Sequence, residues 1–261
     1  THCISSAASD VYKRQDYDNV NRINHWEFDM GSRTVVATFG EGCYFAGYDV
    51  ALPTEYAYKS KSEGGIWEEG DLRRDESIRY DFTYLGITPT EVSWGADELD
   101  PHIKKYEDER TDQFNGNLAN EWYSGKNFIV LRYADVLLCY AECLNELGET
   151  GEANTVVNQV RARAWGGTLP NEMAWNYGQD EFRVQIMDER IRELCFEGWR
   201  RMDLIRTGKF VELIKERNPW AKKSGTIKEF HMRWPIPDTE IKNNSDISEE
   251  DQLSLIHISE P

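Results

Sequence analysis

Glu189, Glu193 and Glu197 recur every four residues, which on a helix sets three carboxylates along one stripe. Two carboxylates facing a common cleft are what a glycoside hydrolase needs for its acid and its base or nucleophile. Without partners, these three would repel one another. The surrounding stretch 189–210, ERIRELCFEGWRRMDLIRTGKF, is dense in arginine, and Arg190, Arg192, Arg200 and Arg201 fall close enough to intervene. Arginine meets a carboxylate through two parallel hydrogen bonds, a geometry lysine lacks. The stripe therefore reads as a structural lock and not as a catalytic pair. Arg132 and Asp135, flanking Tyr133 at a helix start, read as a second helix-to-helix lock.

Other chemistries lack their markers. His25, His102 and His231 stand far apart with no zinc-ligand spacing. The acid clusters 97–100 and 107–109 lack the alternating spacing of a calcium loop and read as solvated faces. There is no GxSxG, no HExxH and no phosphate-cradling glycine loop, so no cofactor is expected. Cys139 and Cys143 fall one helical turn apart, with Cys43 and Cys195 distant; without a CxxC these read as buried free thiols.

Large aromatic side chains are the remaining functional candidates. If the ligand is a glycan, ring faces stack on sugar rings beside short polar side chains. Trp26, Tyr44, Tyr48, Trp67 and Trp94 are the candidates, with Asn24, Asp49 and Arg79 as polar neighbours. The competing reading of each ring is a pin that holds a loop to the scaffold.

The elements that must position these residues divide the chain. Residues 5–15 (SSAASDVYKRQ) and 253–261 (LSLIHISEP) resemble translated adapter ends of transposase-based sequencing libraries, so 1–15 and 253–261 are read as foreign. Residues 16–126 are loop-rich, with strands expected at 33–39 (RTVVATF) and 77–84 (SIRYDFTY) and surface loops at 60–65, 68–71 and 110–117. From residue 127 to 252 the period becomes helical. Val130, Ala134, Leu137, Leu138, Ala141, Leu144 and Leu147 make one apolar face, and Gly148 stops the helix. A second helix turns Ala153, Val156, Val157, Val160 and Ala164 inward, and the short turn between makes an antiparallel hairpin. Asp180 is expected to cap a third helix, with Phe182, Ile186 and Met187 inward. That helix continues into 189–210, where Ile191, Leu194 and Cys195 share one face, Trp199, Met202 and Ile205 another, and Gly198 marks a break. The 234–237 segment (WPIP) is extended, followed by a terminal turn at 238–241.

A formal charge of -17 repels phosphate backbones, which argues against nucleic acid, and offers no basic patch to an anionic membrane. No run approaches the ~20 apolar residues of a membrane-spanning helix.

Four blocks, in order, resemble the C-terminal part of the SusD/RagB family of outer-membrane nutrient-binding lipoproteins. They are 130–147 (VLRYADVLLCYAECLNEL), 153–164 (ANTVVNQVRARA), 189–208 (ERIRELCFEGWRRMDLIRTG) and 234–241 (WPIPDTEI). Weaker agreement lies at Pro53-Thr54, Gly70-Asp71-Leu72-Arg73 and Lys105-Tyr106, and Ile191 and Leu72 depart from the commonest residues. The resemblance implies a mainly α, tetratricopeptide-like scaffold of helical hairpins with an irregular loop and short-strand region packed on it. It also implies a non-catalytic surface protein that delivers oligosaccharide or polysaccharide to a SusC-like TonB-dependent transporter. Membrane attachment would run only through a lipid anchor in a preceding part of the protein. A tetratricopeptide-type protein-interaction scaffold with no small ligand is the alternative, and a saturable tryptophan signal on adding polysaccharide separates the two.

Overall fold

The computed structural model describes residues 13–15, 25–33, 35, 42–80, 83, 85–86, 101–112 and 124–248. The chain is mainly helical and divides into two compact units, 1–200 and 201–261.

The scaffold of the first unit is three helices: α4 (Tyr133–Glu146), α5 (Thr150–Ala164) and α6 (Gln179–Leu194). Leu138, Ala141 and Leu144 of α4 meet Ala153, Val156, Val157 and Val160 of α5, and Phe182, Ile186 and Leu194 of α6 close the core. Each large side chain so buried stabilises the fold by ~1.5–3 kcal/mol. Gly148, at φ 87°, reverses the chain between α4 and α5 where an L side chain would be strained. Between α5 and α6 a 3-10 turn (Asn171–Met173) is followed by an extended run at 174–178 along the side of α5. There Asn154 and Asn158, one turn apart, each exchange two hydrogen bonds with the backbone of Tyr177 and Trp175 respectively, at 2.8 to 3.1 Å. One helical turn rises about 6 Å and two extended residues about 6.6 Å, so the amides match the peptide groups as a neighbouring strand would.

Shorter elements precede this scaffold: α1 (Trp26–Met30), α2 (Glu55–Tyr58) and α3 (Arg73–Ser77). Strand β2 (Ile78–Arg79) pairs antiparallel with β3 (His102–Ile103), and β1 (Lys13–Gln15) with β4 (Phe128–Leu131). β1 lies inside the segment that the sequence marks as foreign. A second apolar cluster of Ile66, Trp67, Ile78 and Cys195 sits beneath these loops.

The three glutamates join loops to helices. Glu189 binds Arg73 of α3 (2.8 Å), Arg161 of α5 (2.9 Å) and Arg192 (2.8 Å). Glu193 binds Arg73 (2.9 Å), Arg132 and Arg163, while Glu197 binds Lys105 (2.7 Å) and Arg132 (2.9 Å). Arg73 also pairs with Asp71, and Arg161 with Glu68 (2.5 Å). Burial opposes the charge on Glu189 and Glu193, but the surrounding guanidinium groups outweigh it and hold both carboxyls well below the usual range. All three side chains are buried.

The second unit holds α8 (Phe210–Arg217), α9 (Pro219–Ser224) and α10 (Asp238–Asn243), preceded by α7 (Arg200–Arg206). Asn218 caps α9 by accepting from the amides of Trp220 and Ala221, with Pro219 at the first helical position. The Arg201 guanidinium lies over the rings of Phe210 (5.0 Å) and Trp234 (4.6 Å).

Several expectations change. Of the nearby arginines Arg192 pairs with Glu189, whereas Arg190 pairs with Asp135 of α4 (2.8 Å), and Arg200 and Arg201 donate to the carbonyls of Met187 and His231. The helix expected from residue 127 begins at Tyr133, because 128–131 is strand; Val130 and Leu147 are exposed. Gly178, not Asp180, caps α6, and Asp180 pairs with Arg183. α6 ends at Leu194, and Phe196 (φ 64°) and Gly198 (φ 86°) reset the helical phase. Met202 is therefore exposed, and Asp203 and Leu204 are the buried residues of α7. Cys139 and Cys143 are exposed, whereas Cys43 and Cys195 are buried, and Cys139, Cys143 and Cys195 are free thiols. The supposed surface loop 68–71 carries Glu68 and Asp71 into the ion network. Of 33–39 only Arg33 and Val35 are described, and both are helical; among the described residues of 77–84, Ile78 and Arg79 are strand.

Candidate functional site

Residues 101–112, running from β3 into a short turn, collect most of the loop aromatics. Tyr106 is buried, and its hydroxyl donates to the carbonyl of Phe196 (2.5 Å), where the chain leaves α6. Its ring stacks parallel to Phe128 of β4, with centroids 6.1 Å apart and planes at 2°. Trp26, the first residue of α1, leans on both, 6.0 Å from Tyr106 and 5.3 Å from Phe128. Trp26 stays 39% exposed, the most open ring of the three-ring ledge.

The next residue, Glu27, fixes α1 to this segment. Its Oε1 accepts from the amide of Asp108 (2.7 Å) and the hydroxyl of Thr111 (3.0 Å). Burial, with the carboxylates of Asp108 and Glu107 adding to it, pushes the Glu27 pKa from 4.5 to about 9. Tyr48 is 41% exposed and meets Phe28 edge-on at 4.7 Å. Its neighbour Asp49, at φ 55°, contacts Nε2 of His102 at 2.9 Å.

Tyr44 lines a charged cleft of about 430 Å³ with Lys104, Glu107, Asp108, Arg110 and Lys126. Arg79 donates to the Tyr44 hydroxyl (3.1 Å) and holds Glu107 through both carboxylate oxygens (2.6 and 2.5 Å). Lys126 donates to the Glu107 carbonyl (2.8 Å), and burial lowers its pKa. Polar and charged side chains beside the Tyr44 ring suit a polyhydroxylated ligand, whose hydroxyls both donate and accept while a C–H face stacks.

Trp26 and Tyr44 thus reach this segment, while Tyr48 packs on Phe28 beside the Asp49 that contacts His102. Trp67 is 1% exposed, donates from Nε1 to the Ala57 carbonyl (2.6 Å) and packs on Ile66, Ile78 and Cys195. It borders a cleft of about 410 Å³ with Lys61, Glu68 and Tyr177, but at 1% exposure it serves mainly as a core residue. Trp94 and Asn24 lie outside the described residues. Tyr106, Phe128 and Glu27 were not singled out from sequence; only the Lys105-Tyr106 pair carried a signal, as a weak family position. Among the described residues no group of His, Cys, Asp and Glu has the geometry of a metal site, and no helix is long and apolar enough to cross a membrane.

The model of the SusD family matches residues 1–252. SusD-like protein P2 of Formosa agariphila is 34% identical over 213 residues, 78% of this chain and 40% of that protein. Starch-binding protein SusD of Bacteroides thetaiotaomicron is 27% identical over 152 residues, 56% of this chain and 25% of that protein. The crystal structure of a SusD homolog from Bacteroides thetaiotaomicron superposes with a TM-score of 0.54 at 26% identity, covering 66% of this chain and 39% of that one. The chain therefore spans well under half the length of these relatives.

Proposed function

Since the chain belongs to the SusD family, we propose that it contributes to non-catalytic capture of a glycan at the surface of the outer membrane. The captured oligomer would pass to a SusC-like TonB-dependent transporter. The observation that carries this reading is the three-ring ledge, with Trp26 open to solvent above Tyr106 and Phe128 and Tyr44 in a cleft joined to the same segment. The starch-binding name of one relative supports the ligand class. The burial of all three stripe glutamates among cations supports binding without hydrolysis.

The test is native electrophoresis of the chain through gels containing starch, laminarin, xylan or pectin, with tryptophan fluorescence titrations alongside. At least one polysaccharide should retard the wild type, and Trp26→Ala should weaken that binding about tenfold or more, ~1.4 kcal/mol. Tyr140→Ala, exposed on α4, serves as the control and should leave retardation unchanged. Retardation by none of the four, with a folded chain, would favour the protein-interaction scaffold. Release of reducing ends from any of them would overturn the non-catalytic reading.

A further inference from the structure

Glu27 is the one carboxylate among the described residues with a buried side-chain oxygen that no hydrogen bond reaches. Its side chain is 4% exposed, and Oε1 takes both available hydrogen bonds, from Asp108 and Thr111. Oε2 is sealed from solvent and has no hydrogen-bond partner. The charged groups around it are the carboxylates of Glu107 and Asp108 and the cations of Arg110 and Lys126. Of these cations, Arg110 is already held by both oxygens of Asp108, and Lys126 donates to a backbone carbonyl. A carboxylate here would strand a charged oxygen beside two like charges, whereas the neutral acid carries no charge and can donate to Thr111 Oγ1, whose own proton then goes to the Asp108 carbonyl (2.8 Å).

We propose that Glu27 is a positioning residue for the ligand ledge: as the neutral acid it docks α1 on residues 108–111 and sets Trp26 against Tyr106 and Phe128, and its ionisation in alkali releases the ring. The inference rests on the reading of the ledge as the ligand site. Loss of the acid proton to solvent base puts a charge in this sealed site, and water reaches it when α1 separates from the segment that backs Trp26. Affinity for the ligand then falls with alkali although no group on the ligand titrates.

The experiment follows binding of wild type, Glu27→Gln and Glu27→Ala between pH 7 and 10, using the polysaccharide of the four above that retards wild type at pH 7. Acrylamide quenching of tryptophan fluorescence, taken as the difference from Trp26→Phe, reports exposure of Trp26 without any ligand. Wild-type affinity should fall about tenfold by pH 10, one pH unit beyond the Glu27 transition. Over the same range Trp26 should become more quenchable. Glutamine cannot ionise yet keeps the acceptor oxygen, so Glu27→Gln should hold both readouts near their own pH 7 values. Glu27→Ala should show weak binding and an exposed Trp26 at every pH. Lys126 also titrates toward this range, and a pH profile shared by wild type and Glu27→Gln would assign the effect to it and overturn the proposal. If no polysaccharide binds, the glycan reading falls by itself, and the quenching profiles still decide whether Glu27 holds Trp26.

Discussion

Glu189 is the side chain on which most buried charge depends, since Arg73, Arg161 and Arg192 all converge on its two oxygens. Glu189→Gln preserves shape and removes the charge, leaving three interior guanidinium groups short of a counter-ion. Breaking a buried pair from one side costs about 3–5 kcal/mol. For a chain of this size that corresponds to a fall in Tm of about 6–20 °C, read by circular dichroism. A melting temperature within about 2 °C of wild type would remove Glu189 from the lock. Trp67 is a contrast at the same scale. It has the chemistry of a sugar platform, but burial and its bond to Ala57 assign it to packing.

Between elements, the clamp of Asn154 and Asn158 on the 175–177 backbone fixes how α6 returns to the hairpin. Asn154→Ala leaves the peptide groups of Tyr177 without partners, a cost of about 1–3 kcal/mol. Hydrogen exchange at the Tyr177 amide should speed up while amides in the middle of α4 remain protected; uniform acceleration would mean that the clamp is not local. The helices were legible in the sequence because their apolar spacing is a local property: Leu138, Val157 and Ile186 are buried as their period predicts. The ion partners were not. Arg73 lies 116 residues from Glu189 and 120 from Glu193, so charge density showed that a lock exists but not which arginines close it. The ledge was half legible for the same reason. Trp26 is visible as a large aromatic, but the rings behind it come from 106 and 128, and nothing local marks them. Nor does local sequence separate Trp26 from Trp67, because exposure is decided by what folds over each ring.

Across the whole molecule, two kinds of buried carboxyl act in opposite directions on stability. Glu189 and Glu193 have folded-state pKa values below the unfolded 4.5, so the folded state binds fewer protons there and stability is lost as pH falls through and below that range. Glu27 has a folded-state pKa near 9, so between 4.5 and about 9 the folded state holds a proton the unfolded chain has released, and stability declines as pH rises. Thermal unfolding measured from pH 3 to 10 should therefore peak just above the ordinary carboxylate range. Glu27→Gln should flatten the alkaline limb and leave the acid limb in place. An alkaline limb equally steep in both proteins would assign the decline to other groups.

The shared cations of the lock bear on how such a chain diverges. Glu193 holds Arg73, Arg132 and Arg163, and Arg132 also holds Glu197, so no two residues form a pair that can be exchanged in isolation. A single substitution strands several charges at once, and a compensating one at a second site restores only some of them. Neutral drift is blocked here by arithmetic, while rings such as Trp26 or Tyr48 can be replaced one by one with little cost to the fold. Lineages that adopt new ligands would thus rewrite the loops and inherit the ion circuit whole.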